Sequence, residues 1–382
     1  MTEPSAPASP PGPVIHVLFV FGTRPEAIKL APLARHLASH PDEFRVSLCV
    51  TAQHRSLLDR VLQTFQLEPH FDLDLMRPDQ SLAALTARVI ERLDPVLHSQ
   101  RPDIVLVQGD TTTAMAAALA SFYRHIAVGH VEAGLRTGNY DHPFPEEMNR
   151  VLTTRLSTLH FAPTARSVET LRAEGVPNSA IFLTGNTGID ALLYTRDRLE
   201  HDELAAELPC TLHSEKRLIL MTAHRRESFG APMESICRAV RRIASRGDVQ
   251  VVYPVHPNPN VRRVVEPALG GVSGVDLVEP QDYVPFVELL RRCSLILTDS
   301  GGIQEEAPSL GKPVLVLRET TERPEALEAG TARLVGTDED RIVQAVEEIL
   351  DGSVTAPPCG NPFGDGQASP RIASAILSFF RA

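Results

Sequence analysis

VIHVLFVF at residues 14–21 is followed by an amphipathic window from Ala27 to Leu37, then by RVSLCV at 45–50 and a second window from Leu57 to Phe65. Strand-length apolar runs alternating with helical windows are the rhythm of βαβ units. DIVLVQGD at 103–110 and IAVGHVE at 126–132 continue it. These runs suit strands buried on both faces, which is what a parallel sheet between two helix layers requires. The first half is therefore expected to be a doubly wound α/β domain.

After Asp190 the chain turns polar, and a helical stretch is expected through DRLEHDELAAELP. Strand rhythm then restarts with RLILMTAH at 217–224 and VQVVYPVH at 249–256, and runs on through SLILTDSGG at 294–302 and KPVLVLRE at 312–319. The expected division is a disordered tail over 1–13, an N-terminal α/β domain over 14–195, a C-terminal α/β domain over 196–360, and a final helical segment over 361–382 with a helix around Ile372 to Phe380. The fold class is thus α/β, with two doubly wound Rossmann-like domains facing a central cleft where chemistry is expected.

A chain of 382 residues has enough material for two cores. Its formal charge of −11 offers no net attraction to nucleic acid or an anionic membrane, so an anionic ligand must meet a local basic site. The Pro-rich, Ser-rich start MTEPSAPASPPGP lacks the charge and apolar stretch of a signal peptide, and no apolar run is long enough to span a bilayer, so the protein is expected in the cytoplasm. Cys49, Cys210, Cys237, Cys293 and Cys359 form no CxxC pair and are read as buried thiols in a reducing compartment.

Several strand ends carry chemistry. Phe21-Gly22-Thr23-Arg24-Pro25-Glu26, with Lys29 following, puts two cations and free amides at one such end, the form of an anion-facing turn; a plain helix start with Pro in its first turn is the alternative. VLVQGD and VGHVE put Asp110 and Glu132 past two successive strands, with Arg136 close behind as a candidate substrate ligand, so both carboxylates can share a crevice and move protons. Asp110 could instead cap the helix that opens at Thr111. Glu146 and Glu147 in FPEEMNR stand at a helix start, where the helix dipole alone would favour them.

His224, Arg225 and Arg226 close the strand of MTAHRRESFG, and a His beside two cations at a sheet end is hard to explain by packing. In LTDSGGIQEE a strand runs into Ser300-Gly301-Gly302 and a helix, where the glycines let a phosphate approach the first-turn amides, with a plain tight turn as the alternative, and Glu306 follows one turn in. Neither GxxxxGK[ST] nor GxGxxG is present, so triphosphate hydrolysis and a nicotinamide cofactor have no motif. Asp72-Leu73-Asp74 imitates a metal-binding DxD but sits in FDLDL, which alternates like a half-buried strand, with no ligand cluster beside it; no metal is expected.

Taken together, FGTRPEAIKLAPL, TAQHR, GDTTT, GHVEAGLRTG, PFPEEMNR, TGNTGIDAL, HRRESFG, VYPVHPNPNV, LTDSGGIQEEAPSLGKPVLVLRETTERPEA and GTARLVGTD resemble, in order, the bacterial non-hydrolysing UDP-N-acetylglucosamine 2-epimerases, over residues 14–382. The resemblance implies a GT-B-like fold, with UDP held by the second domain and the final helix crossing back to the first. It implies UDP-N-acetylglucosamine, UDP-N-acetylmannosamine and UDP as ligands, no cofactor, a role in envelope polysaccharide precursors, and a homodimer.

By motif position, Asp110, Glu132 and Glu146 resemble the catalytic acids and His224 the histidine on the diphosphate side. Arg24 and Lys29 resemble phosphate and sugar ligands, as does Arg323. Gln281 and Phe286 would flank the uracil, Ser300, Gly301 and Gly302 would hold the diphosphate, and Glu306 the ribose. Some members bind a second UDP-N-acetylglucosamine through residues matching Gln53, Arg225 and His256. The chain departs from some members at Gln108, where a His precedes the Gly-Asp pair, and at Asp79, where an Arg serves the activator.

The implied reaction inverts C2 of the sugar, whose hydrogen no neighbouring carbonyl acidifies, so simple deprotonation has a prohibitive barrier. Loss of UDP from C1 together with the C2 hydrogen solves this: it gives a 2-acetamidoglucal to which UDP and a proton add back. Base and acid on opposite faces are required, and the three carboxylates can supply both. A hydrolysing 2-epimerase, a GT-B glycosyltransferase and a catalytically dead sugar-nucleotide sensor are the competing expectations.

Overall fold

The computed structural model describes residues 13–51, 55–75, 77, 80–352 and 360–381. The expected tail over 1–13, save its last residue, lies outside the described residues, as do Gln53, Asp79 and Cys359. The chain divides into two units: residues 1–190 with 366–382, and residues 191–365. The first boundary falls within the helix Thr187–Glu200.

Among the described residues, unit one contains a seven-stranded parallel sheet: β1 (Ile15–Phe21), β2 (Phe44–Val50), β3 (Phe71–Asp72), β4 (Ile104–Gln108), β5 (Ala127–Val131), β6 (Leu159–Ala162) and β7 (Ile181–Leu183). Their order is β3-β2-β1-β4-β5-β6-β7, so the winding reverses between β1 and β4. All residues of β1 and of β4 are buried, as the apolar runs required. Leu18, Val20, Val105 and Val107 pack with Leu93, Leu97 and the alanines of the helix Thr112–Tyr123, whose small side chains let it lie close to the sheet.

The run FDLDL does not become the extended strand expected of it. The strand itself covers only Phe71 and Asp72, although Leu73 and Leu75 still donate to the Val50 and Thr51 carbonyls at 2.9 and 3.2 Å; Asp74 enters the left-handed region at φ 44° and donates its amide to the Asp72 carboxylate at 3.0 Å, so the DxD look-alike closes a turn. The last helix, Ala368–Arg381, begins four residues earlier than its apolar periodicity showed. Asp190 explains its start, since its Oδ1 accepts the Ser369 amide at 2.7 Å and its Oδ2 the Ala368 amide at 3.2 Å. A carboxylate from 178 positions upstream thereby satisfies first-turn donors, and the helix packs on the helix Arg24–Ala38.

Unit two repeats the design with β8 (Arg217–Thr222), β9 (Val249–Pro254), β10 (Val275–Val278), β11 (Leu295–Thr298), β12 (Val314–Val316) and β13 (Ala332–Leu334), all parallel. Their order, β10-β9-β8-β11-β12-β13, reverses between β8 and β11. Met233, Ile236, Val240, Ile342 and Val346 from two helices fill one face, and buried Tyr253 satisfies its hydroxyl on the Ala223 carbonyl at 2.7 Å.

The helix expected through DRLEHDELAAELP stops at Glu200. Asp202 turns left-handed at φ 57°, and the Arg198 side chain closes on Glu203 at 3.1 Å, so local hydrogen bonds end the helix that composition alone would extend. Cys49, Cys237 and Cys293 are buried, and burial raises their thiols to about 12, about 11 and about 12. Cys210 is only half-buried, because it lies in the irregular stretch after that helix stop.

Candidate active site

In an open parallel sheet, ligands bind beyond the carboxyl ends of the strands where the winding reverses. In unit one that point is shared by the turn after β1 and the turn after β4. Gly22 is required in the first: a Cβ there would stand 2.1 Å from Thr51 Oγ1 and 3.0 Å from Thr113 Oγ1. Glu26 reaches back to accept the Gly22 and Thr23 amides at 3.0 and 2.7 Å, and takes the Thr111 hydroxyl at 2.6 Å. Its burial raises its pKa against these bonds. The turn is therefore a capping box fastened to the neighbouring loop, with Arg24 and Lys29 on its helix.

Lys29 forms an ion pair with Glu132, at the end of β5, and Gln108 donates to the same oxygen, Oε2, at 2.7 Å. Glu132 holds a left-handed backbone, φ 66°, which costs a non-glycine residue of order 1 kcal/mol. The side chain is 11% exposed, so the strained backbone presents a carboxylate that is held and yet reachable. Gln108, noted in the sequence only as a departure, thus helps to hold it.

Asp110 follows Gly109, itself at φ 70°, and accepts from Arg150 at 2.7 Å. Arg150 also meets Glu147 at 2.9 Å, and Glu147 accepts the Thr137 and Gly138 amides at 2.9 and 2.8 Å. Burial opposes charge on Glu147, which is 1% exposed, but the two amides and Arg150 outweigh it and hold its pKa below the usual carboxylate range. Of the tandem acids at the start of the helix Glu146–Leu156, Glu147 is thus committed to structure, while Glu146 is half-buried.

Arg136 is bound up with its own surroundings. It clasps Glu174 through two bonds of 2.8 and 2.9 Å, Thr154 at 2.9 Å and the Leu135 carbonyl at 2.7 Å, which engages four of its five N–H donors in holding loop to helix. Beneath these loops, His130 on β5 and His160 on β6 stand side by side. His130 is fully buried, and its Nε2 meets the Gly109 carbonyl at 2.8 Å.

In unit two the reversal point lies between the turns after β8 and β11, which carry His224-Arg225 and Asp299-Ser300-Gly301-Gly302. Asp299 is fully buried and accepts the His224 and Arg225 amides at 2.6 and 2.7 Å. The His224 ring stacks on His256, with centroids 5.1 Å apart and planes 11° apart. Gly301 and Gly302 open the helix Gly301–Glu306. A Cβ at Gly301 would meet the Arg323 guanidinium at 3.5 Å, so the cation lies over the turn, secured by an ion pair to Glu305. Glu306 continues that helix, and Gln281 and Phe286 stand half-buried at and just before the helix Tyr283–Arg292.

Each unit thus gathers most of its predicted residues at its own reversal point. In unit one Arg24, Lys29, Asp110 and Glu132 come together there; in unit two His224, Arg225, Ser300, Gly301, Gly302 and Arg323 do so. Glu26, Gln108, Arg150, Asp299 and Glu305 were missed. Asp299 stood in plain view, a charged residue ending an apolar run, and Glu26 completes a Thr-x-x-Glu capping box, whereas the others are identified only by their partners in the fold.

A family model described as UDP-N-acetylglucosamine 2-epimerase matches residues 35–377. A UDP-N-acetylglucosamine 2-epimerase of Salmonella typhimurium is 56% identical over 371 residues, covering 95% of this chain and 98% of its own. The crystal structure of UDP-GlcNAc 2-epimerase from Neisseria meningitidis bound to UDP-GlcNAc superimposes with a TM-score of 0.87 at 46% identity, over 95% of this chain and 100% of that one. The Methanocaldococcus jannaschii enzyme in complex with UDP-GlcNAc and UDP gives 0.77 at 32%, over 96% and 100%. The GT-B-like fold class is therefore the one expected, and the chain belongs to the UDP-N-acetylglucosamine 2-epimerase family.

Proposed function

We propose that this chain interconverts UDP-N-acetylglucosamine and UDP-N-acetylmannosamine without hydrolysis, by elimination and re-addition of UDP. The carrying observation is the pair of carboxylates past adjacent strands in unit one: Glu132, held by Lys29 and Gln108, and Asp110, held by Arg150. Family membership supports the coarser part of this reading, 2-epimerisation of UDP-N-acetylglucosamine.

In the forward step a carboxylate takes the C2 proton, the C2–H electron pair becomes the C1–C2 double bond, and the C1–O bond breaks with its pair leaving on UDP. Return reverses each change, with the proton delivered to the opposite face. Asp110, Glu132 and Glu146 are the groups proposed for proton transfer. His224 and Arg323, with the Ser300-Gly301-Gly302 turn, are proposed to stabilise charge on the departing diphosphate. Arg136 is proposed as a structural clamp in place of a substrate ligand. The product would feed envelope polysaccharide precursors.

Incubation with UDP-N-acetylglucosamine in deuterated water, without added metal or NAD, tests this by NMR. UDP-N-acetylmannosamine carrying deuterium at C2 is expected. Free N-acetylmannosamine with UDP would favour the hydrolysing reaction, and absence of turnover would sink both.

A further inference from the structure

We propose that Asp299 is a positioning residue that fixes the tautomer of His224, keeping the ring proton on Nδ1 so that Nε2 is the nitrogen presented to a phosphate-bearing substrate. The proposal rests on the reading of His224 given above.

Asp299 is oriented by backbone. Its amide donates to the Thr222 carbonyl at 3.1 Å, and its Oδ2 accepts both the His224 and the Arg225 amides. The other oxygen, Oδ1, is buried, makes no hydrogen bond among the described residues, and stands 3.4 Å from His224 Nδ1. A buried carboxylate oxygen without a donor is costly, and a ring N–H at that distance is the donor that would offset it after a small rotation. Stacking on His256 restrains the plane of the ring while leaving its edge turned to the carboxylate. Thr298 joins Thr222 at 2.7 Å and accepts the Ser300 amide at 2.9 Å, so the two turns hang from one locked pair of strand ends.

The tautomer matters because the surroundings of the ring disfavour its charged form. Burial, first, and the neighbouring His256 and Arg225 oppose charge on it, and together they outweigh Asp299 and hold its pKa below the ordinary value. A carboxylate beside Nδ1 selects the Nδ1–H form, and favours the imidazolium when Nε2 meets developing negative charge. Asp299 is also bonded covalently to Ser300, so one residue sets both the histidine and the start of the glycine turn.

Asp299→Asn separates these roles. The amide oxygen can still accept both backbone amides, but its NH2 then faces Nδ1, which can only accept, and the ring proton moves to Nε2. Nitrogen-15 shifts of the His224 ring, assigned by difference from His224→Gln, are expected to show Nδ1–H in the parent and Nε2–H in Asp299→Asn. The kcat for UDP-N-acetylglucosamine should fall about 10²- to 10⁴-fold with KM changed less than about threefold. In the His224→Gln background the same change should cost less than about threefold.

A parent ring protonated on Nε2 overturns the proposal with no variant needed. So does an equal loss in the His224→Gln background, which would mean that Asp299 acts by holding the backbone alone. If His224→Gln keeps full activity, the reading of His224 fails, and the ring shifts by themselves decide whether Asp299 sets the tautomer.

Discussion

Lys29 and Glu132 are joined as an ion pair from the first helix to the end of β5, and Gln108 donates to the carboxylate oxygen that Lys29 holds. Both donors favour the ionised carboxylate, the form that can accept a proton. Glu132→Gln preserves shape and removes that capacity, so kcat should fall by about 10²-fold or more. Thermal unfolding should shift by only a few degrees. A variant with near-normal turnover in the NMR assay would remove Glu132 from the chemistry.

The tandem acids Glu146 and Glu147 should separate cleanly. Glu147→Gln loses a buried charge that Arg150 and two amides hold, and should cost about 3 kcal/mol in urea denaturation, the scale for breaking a buried pair. Glu146→Gln should change stability by less than about 0.5 kcal/mol and lower kcat instead. The reverse pattern would exchange their assignments.

Acid should loosen unit one through its paired histidines. Burial drives His130 down to about 3 and His160 to about 4, against an ordinary value near 6.5. Between those limits the unfolded chain binds more protons, so this stability is complete above about pH 6.5 and is lost as the pH falls toward the folded values. Urea midpoints measured from pH 7.5 to 4.5 should decline over that range. His130→Gln, which keeps a donor for the Gly109 carbonyl, should flatten the decline; an unchanged slope would place the acid sensitivity elsewhere.

Gly22 tolerates no side chain. Gly22→Ala would drive a methyl into the Thr51 hydroxyl and should cost about 1 to 3 kcal/mol. Adding Thr51→Ala removes the obstructing oxygen, so the double variant should recover part of the loss. If the two penalties simply add, the steric account is wrong.

The strands were legible because their environment is uniform: buried on both faces, they must be apolar throughout, and an apolar run of that length is visible without its neighbours. The candidate carboxylates Asp110 and Glu132 were legible for a related reason, as charges just past such runs. Partners were not. Arg150 reads as an ordinary helical cation until Asp110, 40 positions away, is seen to need it, and Glu174 likewise captures Arg136 from 38 positions downstream. The overextended helix past Glu200 failed for the opposite reason, since Arg198 and Glu203 settle the matter within five residues through a turn that composition favours no more than a helix.

Asp190 and Ser369 meet although the whole of unit two lies between them in the chain. Unit two is in effect an insertion, and the segment that completes unit one is synthesised after it. On the ribosome, the inserted unit is continuous and can fold as soon as it emerges, whereas unit one must wait with an unclaimed helix face on Arg24–Ala38. The order of birth and the order of completion are therefore inverted: the domain begun first is finished last.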